Sequence, residues 1–274
     1  MTFIQALVLG IVQGATEFLP ISSSGHLVLV PWLLRWQIDP ELAFVFDILV
    51  QWGTLLAVVF YFRDDLRTLI YAARSGIRSG QPLRDSDSRI AWLILVASIP
   101  ATVIGLTLKD QVMQAFNSPQ VTSIFLLLTA LMLLASERLG KRERSLDTIS
   151  VADAVWIGFA QALALFPGVS RSGATIAGGM TRRLKRPHAA RFSFLIAIPV
   201  MIGAGVVAVL ELINIPDGHN HVPVLLVGFF AAIIVGYFSI QWLLRYLTQR
   251  SLSKFAIYCA GAGVLGLLMS VIHG

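Results

Sequence analysis

Four ionisable side chains, Glu17, His26, Asp47 and Arg171, fall inside stretches whose neighbours are otherwise apolar, and Glu211 stands at the outer end of another such run. A charge in hydrocarbon is costly, so each needs a partner or a task. Three of the four flank or occupy two turns rich in Pro, Gly and Ser. Glu17 precedes Pro20-Ile21-Ser22-Ser23-Ser24-Gly25, His26 follows it, and Arg171 sits within Pro167-Gly168-Val169-Ser170-Arg171-Ser172-Gly173. The chemistry these types suit is anion binding. A helix that starts after a turn offers unpaired N–H groups and a partial positive charge. An Arg fork adds two donors matched to phosphate oxygens. Ser23 and His26 are three apart at a helix start and share a face, which can set a base beside a nucleophilic hydroxyl. Plainer readings stand beside these. The serines can serve as helix caps, Arg171 as a counter-ion for Glu17 or Asp47, and His26 as a satisfied core histidine. Asp47 either supports the site or pairs with a polar group of a hairpin.

The elements that must position these residues come as a repeat. GIVQGATEFLPISSSG (10–25) and GFAQALALFPGVSRSG (158–173) align at a constant offset of 148 residues, matching Gly10/Gly158, Gln13/Gln161, Phe18/Phe166, Ser22/Ser170, Ser24/Ser172 and Gly25/Gly173. The pairs Phe44/Phe192 and Phe46/Phe194 keep the same offset. Each copy runs an apolar helix into a turn and resumes apolar, the pattern of a chain that enters a membrane, breaks and returns.

Composition supports a bilayer setting. The chain is 56% hydrophobic and 13% charged, whereas soluble domains are roughly a quarter charged. Six apolar segments, 42–62, 90–108, 121–136, 192–210, 222–244 and 255–272, approach the roughly 20 residues that cross hydrocarbon; the third is the shortest. No cleavable leader is read at the start. The single Cys259 excludes an internal disulfide and a cysteine-based metal site and reads as packing. The net charge of +6 suggests nucleic acid until it is mapped: 18 of 21 Lys and Arg lie in 63–89, 138–144, 182–191 and 245–254, which one threading puts on a single side. The positive-inside rule makes that side cytoplasmic. Residues 138–191 then begin and end inside, so 154–181 must be a re-entrant hairpin, and 2–36 a second one from the opposite face. Irregular backbone at depth is tolerated where protein or water surrounds it. The expected fold is an all-α polytopic membrane protein with an inverted-topology repeat, each half a re-entrant helical hairpin plus three transmembrane helices. One integral membrane domain spans 1–274, with repeats of about 1–140 and 148–274 and both termini outside.

The stretch Gln13-Gly14-Ala15-Thr16-Glu17-Phe18-Leu19-Pro20-Ile21-Ser22-Ser23-Ser24-Gly25-His26 resembles the first signature of the bacterial undecaprenyl-diphosphatases of the BacA/UppP type. Pro167-Gly168-Val169-Ser170-Arg171-Ser172-Gly173-Ala174-Thr175 resembles their second. The likeness runs through essentially the whole chain. It implies hydrolysis of undecaprenyl diphosphate to the monophosphate carrier of peptidoglycan synthesis, at the outer face of the cytoplasmic membrane, and an association with bacitracin resistance. With it come expected catalytic residues Glu17, Ser23, His26 and Arg171. Ser22, Ser24, Gly25, Gly168, Ser170, Ser172, Gly173 and Thr175 are expected to bind substrate, with Gln13 and Asp47 behind them. Ser23 is the expected nucleophile and His26 its base or orienting partner. Glu17 is expected to carry a proton, to hold a divalent cation (Mg2+ or Ca2+), or both; Gln13 stands where a second carboxylate would complete a metal pair. The expected partners are a polyprenyl diphosphate, the bilayer and a second copy of the chain in a homodimer. The rival reading is an inverted-repeat transporter or flippase for a phosphorylated lipid or anion.

Overall fold

A computed structural model describes residues 1–83, 85–116, 118–212 and 222–273; the side chains of 207–212 and 273, including the Glu211 singled out above, fall outside that description. The described residues form twelve α-helices, one 3-10 turn and no strand. Six helices are long and apolar enough to cross a membrane: α3 (Pro40–Tyr61), α5 (Ser86–Thr107), α7 (Pro119–Leu139), α10 (Arg186–Leu212), α11 (Val222–Gln249) and α12 (Ser253–His273). The chain is a multi-pass, all-α membrane protein.

All six expected segments are helical, and most extend beyond their apolar cores. α7, expected to be the shortest, runs for 21 residues. The Ser118 hydroxyl caps its first turn, and the helix continues through Glu137 and Arg138, because a helix need not end where the hydrocarbon does. The 63–89 loop is not all loop. It holds α4 (Arg63–Arg78), whose Leu66, Leu69, Ile70, Ala73 and Ile77 gather on one face, a pattern suited to lying along an interface. A shorter helix, α6 (Lys109–Phe116), follows α5.

The two expected hairpins are α1 (Phe3–Phe18) with α2 (Ser23–Leu33), and α8 (Val151–Leu163) with α9 (Arg171–Thr181). Their first arms open with equivalent capping boxes, Thr2 with Gln5 and Ser150 with Asp153, each satisfying two orphan donors at once. α1 stops before Pro20, which has no N–H to continue it. The halves are interlocked. α1 and α3 pack on α11, while their counterparts α8 and α10 pack on α5; α7 packs along α12, and α3 on α10. Exchanging each helix for its partner in the other half converts one set of contacts into the other. The repeated glycine explains how close this packing is. A β-carbon at Gly10 would lie 2.4 Å from the Gly228 carbonyl of α11, and one at Gly158 would lie 2.5 Å from the Ala97 carbonyl of α5. Small residues allow such backbone approach in membrane helices. Of the repeated aromatics, Phe18 stands edge-on to Phe194 at 5.4 Å and shares one buried core with it and Phe192, while Phe46 is buried in a second core.

The basic loops are tied down by two carboxylates. Glu137 accepts from Arg142 at 2.6 Å, from Arg186 Nε at 2.7 Å and from the Leu252 N–H at 2.7 Å. Asp153 accepts from Arg144 at 2.8 Å and Arg182 at 2.6 Å. Glu137→Ala strands two guanidinium groups and a backbone donor, so it is expected to destabilise the protein by roughly 3 kcal/mol. Thermal unfolding in detergent measures this, and an unchanged midpoint removes the clamp from the account of stability.

Candidate active site

The turns of the two hairpins touch. A β-carbon on Gly25 would lie 3.2 Å from the Cα of Gly168, and one on Gly173 would lie 3.4 Å from Pro20. The Ser172 hydroxyl donates across the join to the Leu19 carbonyl at 2.9 Å. Thr129 of α7 holds the second turn from behind, donating to the Gly168 carbonyl at 2.9 Å and accepting from the Ser170 N–H at 3.0 Å. Gly168 has φ +95°, and any side chain there would collide with the Thr122 carbonyl, so this turn requires glycine.

Both second arms begin alike. The Ser22 hydroxyl accepts from the Gly25 N–H at 3.2 Å, and that of Ser170 from the Gly173 N–H at 3.1 Å. Ser22 does so at φ 70°, a left-handed conformation disfavoured for any residue with a β-carbon, by roughly 1–2 kcal/mol. The caps answer the third N–H of each helix. The N–H groups of Ser23, Ser24, Arg171 and Ser172 find no acceptor among the described residues. Two helix starts therefore present free donors and the positive ends of their dipoles to one place.

Around that place the side chains form a chain of bonds. Glu17 Oε1 accepts from Arg171 Nη2 at 2.6 Å; Glu17 Oε2 accepts from the Ser23 hydroxyl at 2.5 Å and from Gln13 Nε2 at 2.8 Å. Gln13 is fully buried, one turn before Glu17, and its amide also donates to Thr54 at 3.4 Å. The side chains of Arg171 and Glu17 are 18% and 8% exposed, so the ion pair is shielded yet open to an entering ligand.

The expected residues separate by exposure. Glu17, Ser23, Ser24, His26 and Arg171 are half-buried. Ser22, Gly25, Gly168, Ser170, Ser172, Gly173 and Thr175 are buried. Their polar groups serve the scaffold: caps at Ser22 and Ser170, the hairpin join at Ser172, and a 2.5 Å bond between the Thr175 and Ser193 hydroxyls. Capping is thus realised at Ser22 and Ser170, while the Ser23 hydroxyl goes to Glu17. Asp47 is not brought to the cluster. It borders a separate cavity of about 170 Å³ lined by Met1, Leu9, Leu27, Pro31, Trp36 and Ile38, with no hydrogen bond or ion pair among the described residues.

The pairing of Ser23 with His26 expected from their spacing is not made. The imidazole turns back along its own helix, where Nδ1 lies 2.7 Å from the Ser22 carbonyl, and Nε2 lies 2.7 Å from the hydroxyl of Tyr258 on α12. Glu17 occupies the Ser23 hydroxyl instead. Tyr258 is the residue that sequence reasoning missed, because an aromatic in the last apolar span looks like packing.

The donor set does not fit a resident divalent cation. Glu17 is the cluster's one carboxylate, both its oxygens are engaged, and one faces a guanidinium. No group of three His, Cys, Asp or Glu among the described residues could hold a metal.

Residues 6–265 match the family model described as Bacitracin resistance protein BacA. The chain belongs to this family. Among BacA-family relatives, the undecaprenyl-diphosphatase of Moorella thermoacetica is 43% identical over 258 residues, covering 94% of each chain. That of Thermomicrobium roseum is 41% identical, covering 97% of each. That of Chlorobaculum tepidum is 41% identical over 100% of this chain and 99% of its own. The resemblance seen in the two motifs thus extends through both BacA hairpins and all the spans between them.

Proposed function

We propose that the protein hydrolyses undecaprenyl diphosphate to undecaprenyl phosphate and inorganic phosphate, recycling the lipid carrier of peptidoglycan synthesis, with its site open to the outer face of the cytoplasmic membrane. The observation that carries this reading is the meeting of two helix starts, whose first two N–H groups stay free, and of Arg171 beside a serine whose hydroxyl is held by a carboxylate. The family's relatives named undecaprenyl-diphosphatase support it. The outward side rests on loop charge, which puts the basic 63–89, 138–144, 182–191 and 245–254 segments in the cytoplasm. A role in bacitracin resistance accompanies the activity.

The chemistry follows from the contacts. The polyprenyl tail stays in hydrocarbon while the diphosphate enters between the turns. Arg171 has five N–H donors and spends one on Glu17, leaving others for the terminal phosphate. With the free N–H groups of Ser23, Ser24, Arg171 and Ser172 it stabilises charge spread over the phosphoryl oxygens, which supplies most of the rate in phosphoryl transfer. The Ser23 oxygen attacks the terminal phosphorus as its proton passes to Glu17 Oε2. The bridging P–O bond breaks and undecaprenyl phosphate leaves. Water then attacks the phosphoserine, the P–Oγ bond breaks, and Glu17 returns its proton to Ser23.

The interlocked halves also suit a transporter or flippase, and one experiment separates the two. Detergent-solubilised protein given a polyprenyl diphosphate is expected to release inorganic phosphate and to accumulate phosphate on Ser23 in a rapid quench. A transporter releases none; label on a peptide without Ser23 moves the nucleophile to that peptide, and phosphate release with no labelled peptide replaces serine with direct attack by water.

A further inference from the structure

We propose that Tyr258 is a positioning residue for His26, fixing which ring nitrogen carries the proton and where the other one points. The proposal rests on the phosphatase reading above and adds to it a residue outside both signature motifs.

The Ser22 carbonyl faces His26 Nδ1. A backbone carbonyl only accepts, so at 2.7 Å from it His26 Nδ1 must carry hydrogen. In the neutral ring Nε2 is then the lone-pair nitrogen. Its neighbour at 2.7 Å is the Tyr258 hydroxyl, which must therefore donate to it. The two rings lie nearly parallel, 8° apart with centroids at 5.6 Å, so both hydrogen bonding and stacking hold the imidazole. The ring is anchored at both nitrogens, and neither faces Ser23.

The mount that carries Tyr258 is independent of the hairpin. α12 packs along α7 for most of its length. Gly263 and Gly266 let it approach the Ser123 and Leu127 side of that helix closely. The next residue, Cys259, directs its thiol to the Pro20 carbonyl in the first turn at 3.6 Å. Two consecutive side chains of α12 thus reach the same hairpin, one gripping the turn and the other the imidazole. Tyr258 is 48% exposed while its hydroxyl is engaged, so the phenol lies at the protein's surface rather than in its core. Such a placement suits a residue that orients a neighbour at the edge of a site, since a tyrosine combines an apolar body with a polar tip.

Tyr258→Phe keeps the stack and removes only the hydroxyl. In the phosphate-release assay kcat is expected to fall about tenfold with KM within about twofold, because an imidazole released by Tyr258 no longer stays on the Ser22 carbonyl beside Ser23 and small misplacements at a reacting centre are costly. Tyr258→Ala, which also removes the stack, gives the packing control. If Phe restores the wild-type rate and only Ala is impaired, Tyr258 is a packing residue and the proposal fails. A second readout needs no turnover. In 15N spectra of histidine-labelled resting protein, the His26 signal, assigned by its loss in His26→Ala, is expected to show a single Nδ1–H tautomer. Tyr258→Phe is expected to show a tautomer mixture. An unchanged His26 spectrum in Tyr258→Phe overturns the proposal whatever the activity. Absence of phosphate release by the wild-type protein overturns the hydrolase reading instead, and the spectra still decide the role of Tyr258.

Discussion

Arg171→Ala is expected to lose phosphate release by roughly 10³-fold while the protein still inserts and folds, the upper range seen when one donor to a developing oxyanion is removed. Arg171 is the first residue of α9, so its guanidinium and the helix's free N–H groups point into one space. It is the cluster's sole cation, and its partner Glu17 leaves most of its donors unspent. Removing it strands the Glu17 carboxylate, which itself costs stability. Arg171→Lys therefore accompanies the alanine variant: it keeps a positive charge near Glu17 but loses the planar fork. Lys is expected to recover the thermal midpoint and little of the rate. Alanine protein that elutes as wild type and retains activity within a few-fold contradicts the clamp.

Glu17→Gln is expected to reduce kcat by about 10²–10⁴-fold, the contribution of a positioned general base. The carboxylate accepts from three donors at once: Arg171, Ser23 and Gln13. A glutamine of the same shape has a single acceptor oxygen. Its NH2 must then face another donor, and no group remains to take the Ser23 proton. The variant is expected to keep Arg171 available for phosphate, so KM should rise less than kcat falls. Single-turnover quench adds a sharper criterion. Phosphoserine is expected to form slowly in Glu17→Gln, and formation at the wild-type rate removes Glu17 from the attack step.

Both variants concern residues that were legible before any coordinates. A charge in an apolar run is an anomaly that the bilayer makes expensive, and Glu17, His26 and Arg171 share their sequence neighbourhoods with the repeated Ser/Gly turns. The pairing of halves was equally legible. Gly10 and Gly158 recur at one offset because each lets its helix approach a neighbouring backbone closely. Identity of types, however, carries no information about which hydroxyl caps a helix and which goes to Glu17. In the run Ser22-Ser23-Ser24 that choice is made by backbone geometry. Ser22 takes a left-handed conformation and turns its oxygen onto the Gly25 N–H, leaving Ser23 to Glu17. The Ser23–His26 expectation erred for the same reason. Helical spacing puts two residues on one face but does not set their rotamers, and a carbonyl one turn back competed successfully for the imidazole. Asp47 stood out by cost alone, and cost does not say where a side chain goes.

Composition, loop charge and a repeated motif were enough to determine a multi-pass helical protein broken by two hairpins. These properties follow from transfer energies and backbone chemistry, which act locally along the chain. Only the tertiary structure decided that the hairpin tips meet, that Glu17 rather than His26 takes the Ser23 hydroxyl, and that Tyr258 of the last helix, 232 residues from His26, closes on its ring. Such contacts depend on how helices far apart in sequence cross, and no local pattern encodes that.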